Sequence, residues 1–498
     1  MTGVRSETLR EPYMTVTAPS TVDADTPTYR KTRAMTAPVT AALKDATFFP
    51  YWLDSPDAPA AEAPLSGKLD CDLVIVGGGF TGLWAAILAK EADPKREVVL
   101  IEAERIAHGA SGRPGAIVST SVMHGLGNAK RIFPRDLDRL EVLGRDNMSG
   151  FRRTIAEHGI DCDQEWNGEL TVAVGPEGLP VLREEYDLHR AHGHEVELLD
   201  ETALRGHLRS PILSGGLWSK RDSGTVHPAK LAWGLKRAAR ALGVRIYEHS
   251  PMGRVEDLGT TLRLQAGEGV IEARRALFAT NAFAAGHPRI RSRVAMLRDR
   301  ILMTEPLSPE QMSRIGWGNR QGVYDTRTQL NYMRLTPDNR ILFGGRLGYY
   351  MNAPRDPRAD RGPAPYEGLA EAFFTTFPQL DDIRFAHAWS GPIALTTRMA
   401  VHFQSYYGGK GLYAGGYSGF GVSASRFGAR IGLARLDGCE DPDLDLEFAR
   451  TMPAPIPPEP FRYLGARLTL HALDTVDRKG GWRRRWIDLV TRLGFPLS

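Results

Sequence analysis

The run LVIVGGGFTG, Leu73 to Gly82, puts an apolar strand, a glycine turn and the start of a helix in immediate succession. About twenty residues further on, the strand VVLIEAE brings an acid, Glu102, to its end. Strand, turn, helix and distal acid together make the dinucleotide-binding fingerprint in its required context, and they commit this part of the chain to an α/β fold. Each residue type has a physical task. Gly77 permits the tight turn, Gly79 lets backbone N–H groups approach a pyrophosphate, and Gly82 lets the helix lie close on the strand. The helix start then offers phosphates its unpaired N–H donors and a positive partial charge. Glu102 can accept hydrogen bonds from both hydroxyls of an adenosine ribose and would repel a 2′-phosphate. The apolar stretch Leu73 to Ala89 is not read as a membrane span, because three consecutive glycines, Gly77 to Gly79, interrupt it.

With 498 residues the chain can bury a large core in two or three domains. Its 63 basic and 59 acidic residues leave a net charge of +4, too small and dispersed to indicate a nucleic-acid partner. The three cysteines, Cys71, Cys162 and Cys439, form no CxxC and no metal-like spacing, which fits a reducing cytoplasm and excludes a dithiol relay. Residues 1–47 are polar, rich in Thr, Pro and Ala, and are expected to form a disordered tail, with Met14 and Met35 as alternative starts. The aromatic cluster FFPYWLD, Phe48 to Asp54, marks the expected start of the folded body.

Further along, GASGRPGAIVS, Gly109 to Ser119, is a glycine-rich loop suited to holding a ligand with backbone groups. An amphipathic helical pattern begins near Arg135, and strand-like segments follow at Gly168 to Val174 and between Arg300 and Leu347. A second strand, glycine turn and helix occupies Gly411 to Gly438, so a second helix start can face the same ligand. Nucleotide-fold pieces at the beginning, middle and end imply a discontinuous cofactor domain. The expected division assigns 48–133, 223–290 and 386–450 to that Rossmann-type domain. Residues 134–222 and 291–385 form an inserted α+β substrate domain on a mostly antiparallel sheet, and 451–498 a helical C-terminal extension.

The motifs VGGGFTGLWAA, ASGRPG, TVHPAKL, ATNAF, MTEPL and GYSGFGVSAS resemble those of the flavin-dependent amine and amino-acid oxidases typified by D-amino acid oxidase, glycine oxidase and sarcosine oxidase. Within that family the resemblance is greatest to the gamma-glutamylputrescine oxidase branch, and it covers Phe48 to Gly438. The resemblance implies that Gly77, Gly79 and Gly82, with Phe80 and Thr81, hold the pyrophosphate of FAD and that Glu102 holds its ribose. It places Ala110, Ser111 and Arg113 on the flavin side and Met252 beside the adenine. It sets Gly419, Phe420, Gly421 and Val422 against the flavin O2 edge, where a helix start stabilises negative charge. Pro114 stands where relatives carry Asn or a flavin-linked His. Proline cannot form that link, so FAD is expected to bind noncovalently.

The activity so implied is oxidation of a small amine or amino acid at its C–N bond, with hydride passing to flavin N5 and the imine then hydrolysed. The electrons would go to O2 or another acceptor. A flavin dehydrogenase serving a membrane or protein acceptor, and a non-catalytic FAD-binding protein, are the alternatives. A substrate carboxylate would call for a fixed arginine. Arg300, Tyr332 and Arg334 are the candidate catalytic residues, the last two sharing a strand face at even spacing. Trp389, His124 and His227 read as structural. In GWRRRWIDLVTRLGF, Trp482, Trp486, Leu489, Val490 and Leu493 share a helical side next to Arg483, Arg484, Arg485 and Arg492. Such a helix packs on the body or on a second subunit; a membrane-surface position is the alternative.

Overall fold

The computed structural model describes residues 37–221, 223–351 and 360–495. The fingerprint strand Lys68–Val76 lies in the middle of an eight-stranded sheet, flanked in parallel by Val98–Ile101 and Gly269–Phe278. Arg245–Tyr247 continues the sheet on one side, Gly411–Gly415 and His402–Tyr406 on the other. Leu73 to Ile75 are fully buried, as expected of a parallel strand covered on both faces. The register puts Val76 opposite both Ile101 and Phe278, and Phe278 opposite Tyr413, so four parallel strands end level. Ligands bind at such a carboxyl edge. Helices Phe80–Ala92 and Gly421–Asp437 start from this edge and pack under the sheet with Leu83, Trp84, Ala429 and Ile431.

The second sheet also has eight strands, in the order Phe385–Leu395, Ala295–Thr304, Ile341–Gly348, Tyr332–Leu335, Gly322–Asp325, Glu169–Val174, Leu213–Ser219, Val196–Asp200. All neighbours are antiparallel except the pair Gly322–Asp325 and Glu169–Val174. This mostly antiparallel sheet beside a Rossmann-type one is the expected fold class. Its far face is sealed by the helix Glu367–Thr376 and a phenylalanine cluster that includes Phe343, Phe373, Phe377 and Phe385.

Three boundaries differ from the expected division. The helix Ala37–Leu43 buries Val39, Ala42 and Leu43 in the core of the second sheet, so ordered chain begins before Phe48; the remainder of the expected tail, residues 1–36, lies outside the described residues. A seven-residue, alanine-rich helix has little stability alone and is held by packing, which local pattern does not reveal. The helix Leu137–Glu157 joins the core under the first sheet, with Phe151 against Trp84 at 5.4 Å, although its sequence suits either side of the boundary equally. The strand Phe385–Leu395 belongs to the second sheet, paired along its length with Ala295–Thr304. At the C-terminus two helices, Phe461–Lys479 and Trp482–Arg492, fold back on one another. Among the described residues no helix is long and apolar enough to cross a membrane.

Candidate active site

The first glycine turn is built as its sequence requires. Gly77 has φ +113°, and a Cβ there would lie 2.8 Å from the carbonyl oxygen of Ala279 on the adjoining strand. A Cβ on Gly82 would lie 2.0 Å from the Gly77 oxygen, so only glycine lets the helix rest on the turn. Ser111 steadies the helix start by accepting a hydrogen bond from the Phe80 N–H (2.9 Å). Glu102 is fixed where its strand ends: its two carboxylate oxygens accept from the N–H groups of Gly78 (2.6 Å) and Glu104 (3.0 Å). Burial pushes its pKa up and these donors oppose the rise. A carboxylate has about four acceptor positions, so ribose hydroxyls can still donate to it.

The second turn meets the first directly. The Thr81 hydroxyl donates to the hydroxyl of Tyr417 (2.9 Å) although the two residues are 336 positions apart. Asn281 braces the second turn, its side-chain oxygen accepting from Gly416 N–H (3.0 Å) and its carbonyl from the Tyr413 hydroxyl (3.0 Å). Gly419, with φ +101°, leads into the start of the helix Gly421–Asp437. The loop Gly109 to Ala116 is pinned between the two sheets by two indoles: Trp52 donates to the Pro114 carbonyl and Trp389 to that of Arg113, both at 2.9 Å.

Both turns open into one cavity of about 2020 Å³. Drug-sized ligands occupy roughly 300–1,000 Å³, so there is room for a dinucleotide and a second, smaller molecule. Gly77, Gly79, Phe80, Thr81, Glu102, Ala110, Ser111, Arg113, Met252, Gly419, Phe420, Gly421 and Val422 all line it. Gly82 lies beneath the turn. The glycine cradle, the anchored acid and two helix starts converging on one space fit FAD.

Opposite the second turn, the second sheet supplies a wall in a single register. Thr171 pairs with Tyr324, Tyr324 with Tyr332, Tyr332 with Gly344, and Gly344 with Ile301. Gly344 makes this wall work: a Cβ there would lie 2.0 Å from the Tyr332 ring. With that space free, the Tyr332 hydroxyl reaches past it and donates to Asp299 at 2.5 Å. Burial raises Asp299 to about 6, and it raises Tyr324 and Tyr332 well above the usual tyrosine range. Tyr324 stacks on Phe420 (6.1 Å, 18°), whose other side meets His124 at 4.0 Å. Glu169 also faces the cavity; burial and the nearby Glu185 raise it to about 7.

Of the three expected catalytic residues, Tyr332 reaches the cavity; Arg300 and Arg334 do not. Arg300 lies on the reverse face of its strand, donating to the Tyr350 hydroxyl (2.9 Å) with Asp360 at 3.6 Å. Its neighbour Asp299 is the residue turned inward, together with Leu297 and Ile301. An acid at period-two spacing between two apolar residues was the available signal. Arg334 does share the Tyr332 face, but it is buried behind the loop Gly109 to Ala116, donating to the carbonyls of Val226 (2.6 Å) and Ala116 (3.4 Å) and lying over Trp52. Burial lowers it to about 10. Trp389 and His227 are structural as read, the latter accepting from Lys230 N–H as a helix cap. His124 differs: it lines the cavity, its Nδ1 has no hydrogen-bond partner among the described residues, and burial lowers it to about 4.

The fold and this site define a flavin-dependent oxidoreductase. Residues 72–434 match the family model described as DAO, FAD dependent oxidoreductase, and the chain belongs to that family, with FAD as its cofactor. Gamma-glutamylputrescine oxidoreductase of Escherichia coli (strain K12) is 31% identical over 391 residues, covering 76% of this chain and 87% of that one. Probable oxidoreductase OrdL of Haemophilus influenzae is 28% identical over 389 residues, with 76% and 86% covered. Among solved structures, glycine oxidase from Geobacillus kaustophilus matches with a TM-score of 0.63 at 19% identity, covering 77% of this chain and 100% of that one, and supports the fold.

Proposed function

We propose that the protein oxidises a small amine at its C–N bond, releasing an imine that water hydrolyses, and that the substrate carries no carboxylate on the reacting carbon. When bound, FAD supplies the two-electron acceptor for that step. The observation that carries the reading is the charge of the wall facing Phe420: Asp299 and Glu169 are turned into the cavity, while Arg300 and Arg334 are turned away. Arg113, Arg327 and Arg346 also line the cavity but are engaged by the carbonyls of His108 and Ser390, by Asp325 and by Asp474. Such a wall attracts a cation; Arg484, which also lines the cavity, stands on the C-terminal hairpin and not on this wall.

The protein's own part is deprotonation and placement. An amine must be neutral to lose hydride, and Asp299 near 6 is poised to take the proton at neutral pH. Tyr332 orients that carboxylate through its hydrogen bond. Tyr324, Phe420 and His124, neutral by burial, give the substrate alkyl chain an apolar slot. Glu169 is the group we assign to a second positive charge further along the substrate. The name of the Escherichia coli relative, which refers to a putrescine derivative, is consistent with an amine of this kind.

FAD is held noncovalently in this reading, because Pro114 supplies no attachment atom at the loop pinned by Trp52 and Trp389. The cysteines Cys71, Cys162 and Cys439 are free thiols, which suits a cytoplasmic setting. The test is anaerobic bleaching of the purified yellow protein with a panel of alkylamines, diamines and α-amino acids. Bleaching by amines is expected; bleaching by α-amino acids alone would overturn the assignment. Peroxide formation on readmitting air identifies O2 as acceptor, and its absence points to a membrane or protein acceptor. Acid precipitation is expected to leave the flavin in solution.

A further inference from the structure

The C-terminal hairpin carries a surface that the reaction does not use. Thirteen large apolar side chains are exposed among the described residues, and six of them, Phe461, Leu464, Leu468, Trp482, Leu489 and Leu493, are on this hairpin, Leu493 as the C-cap of its second helix. They are not scattered. Phe461, Leu464 and Leu468 follow i, i+3, i+7 on the first helix, while Trp482, Leu489 and Leu493 follow i, i+7, i+11 on the second. Stacking of His471 on Trp482 (6.3 Å, 17°) brings the two stripes together at the turn.

The hairpin's inner needs are already met. Ala472, Leu473, Val476 and Ile487 pack between the helices, and Trp486 donates to the Thr469 hydroxyl (3.1 Å). Asp474 pairs with Arg346 at 2.9 Å and Asp477 accepts from Thr328, which fixes the orientation on the body. Among the described residues, none covers the outward stripes, which are exposed. The five apolar residues expected on one side divide: Trp486 and Val490 turn towards the cavity, Trp482 and Leu489 turn out, and Leu493 is both exposed and on the cavity wall.

The exposed charges of the hairpin are Arg467, Lys479, Arg484, Arg485 and Arg492, against Asp477 and Asp488, and Arg484 also lines the cavity. Apolar and aromatic anchors bordered by arginines match an anionic lipid interface, where the rings sit at headgroup depth and the guanidinium groups meet phosphates. A second copy of the chain is a poorer occupant, since a two-fold interface sets this net positive patch against itself. We propose that this hairpin docks the enzyme on the surface of an anionic bilayer. Phe461 and Leu493 are at once exposed and part of the cavity wall, so docking places the cavity mouth at the lipid.

Sedimentation of the FAD-loaded full-length protein with vesicles tests this, using phosphatidylcholine alone and mixed with phosphatidylglycerol. Wild type is expected to pellet with the mixed vesicles and to be released as salt is raised. The double variant Leu464→Glu/Leu489→Glu is expected to stay in the supernatant with its flavin spectrum intact. Should that variant misfold, Arg485→Gln/Arg492→Gln is expected to weaken partitioning by about thirtyfold. Failure of wild type to pellet with anionic vesicles, equal pelleting of both variants, or a wild-type dimer that the leucine substitutions split would overturn the proposal.

Discussion

Replacing Asp299 by Asn separates catalysis from stability in one residue. The asparagine keeps an oxygen for the Tyr332 hydroxyl but cannot take a proton. Loss of a positioned base lowers rates by about 10²–10⁴-fold, so flavin reduction by a good amine should slow by at least the lower figure. In wild type the reduction rate should fall on the acid side of about pH 6, where Asp299 gains its proton; in the variant that limb should vanish. Stability should move the opposite way. Folding raises the carboxyl from 3.8 to about 6, and a shift of about two units at 1.36 kcal/mol each amounts to about 3 kcal/mol at most. The native state binds this proton more tightly than the unfolded state. Wild type is thus penalised above pH 6 and not below pH 4, and Asp299→Asn should be the more stable protein at pH 8 and equal at pH 4. Denaturant titrations at the two pH values, beside stopped-flow anaerobic reduction, provide the check. A variant that is less stable at pH 8, or that keeps both the rate and the acid limb, would refute the assignment of Asp299.

Gly344→Ala should drive its Cβ into the Tyr332 ring, destabilising the fold by about 1–3 kcal/mol and slowing flavin reduction while FAD stays bound; melting and bleaching read the two effects. Gly82→Ala meets backbone 2.0 Å away, and the purified protein should be colourless. Arg334→Met leaves the Val226 and Ala116 carbonyls without their donor and should lose about 2–3 kcal/mol in denaturant titration, yet bleach with amines at a near wild-type rate once refilled with FAD. Thr81→Val removes the bond that ties the two turns and should weaken FAD retention on dialysis, with a stability loss of about 1 kcal/mol.

What could be read from residues alone follows a physical divide. The glycine turns, the anchored acid Glu102 and the loop at Ser111 were legible because each is a local requirement: a backbone shape only glycine adopts, or an acid at the end of the next strand. Their convergence could be argued because one cofactor needs both. The substrate wall was not legible in the same way. Alternation in LRDRIL separates Arg298 and Arg300 from Leu297, Asp299 and Ile301, but it does not say which set faces the cavity. That choice is made far away, by the pairing of Ile301 with Gly344 and with Trp389, which turns the odd-numbered residues inward and sends both arginines to Asp360. A buried acid is expensive unless it has work or a partner, so that cost alone points to the arginines as the inward set, and the sheet register reverses it. The inward acid also explains the missing side chain beside it. Gly344 contributes nothing to the sheet's packing, and its value lies in the path it leaves for the Tyr332 hydroxyl to reach Asp299.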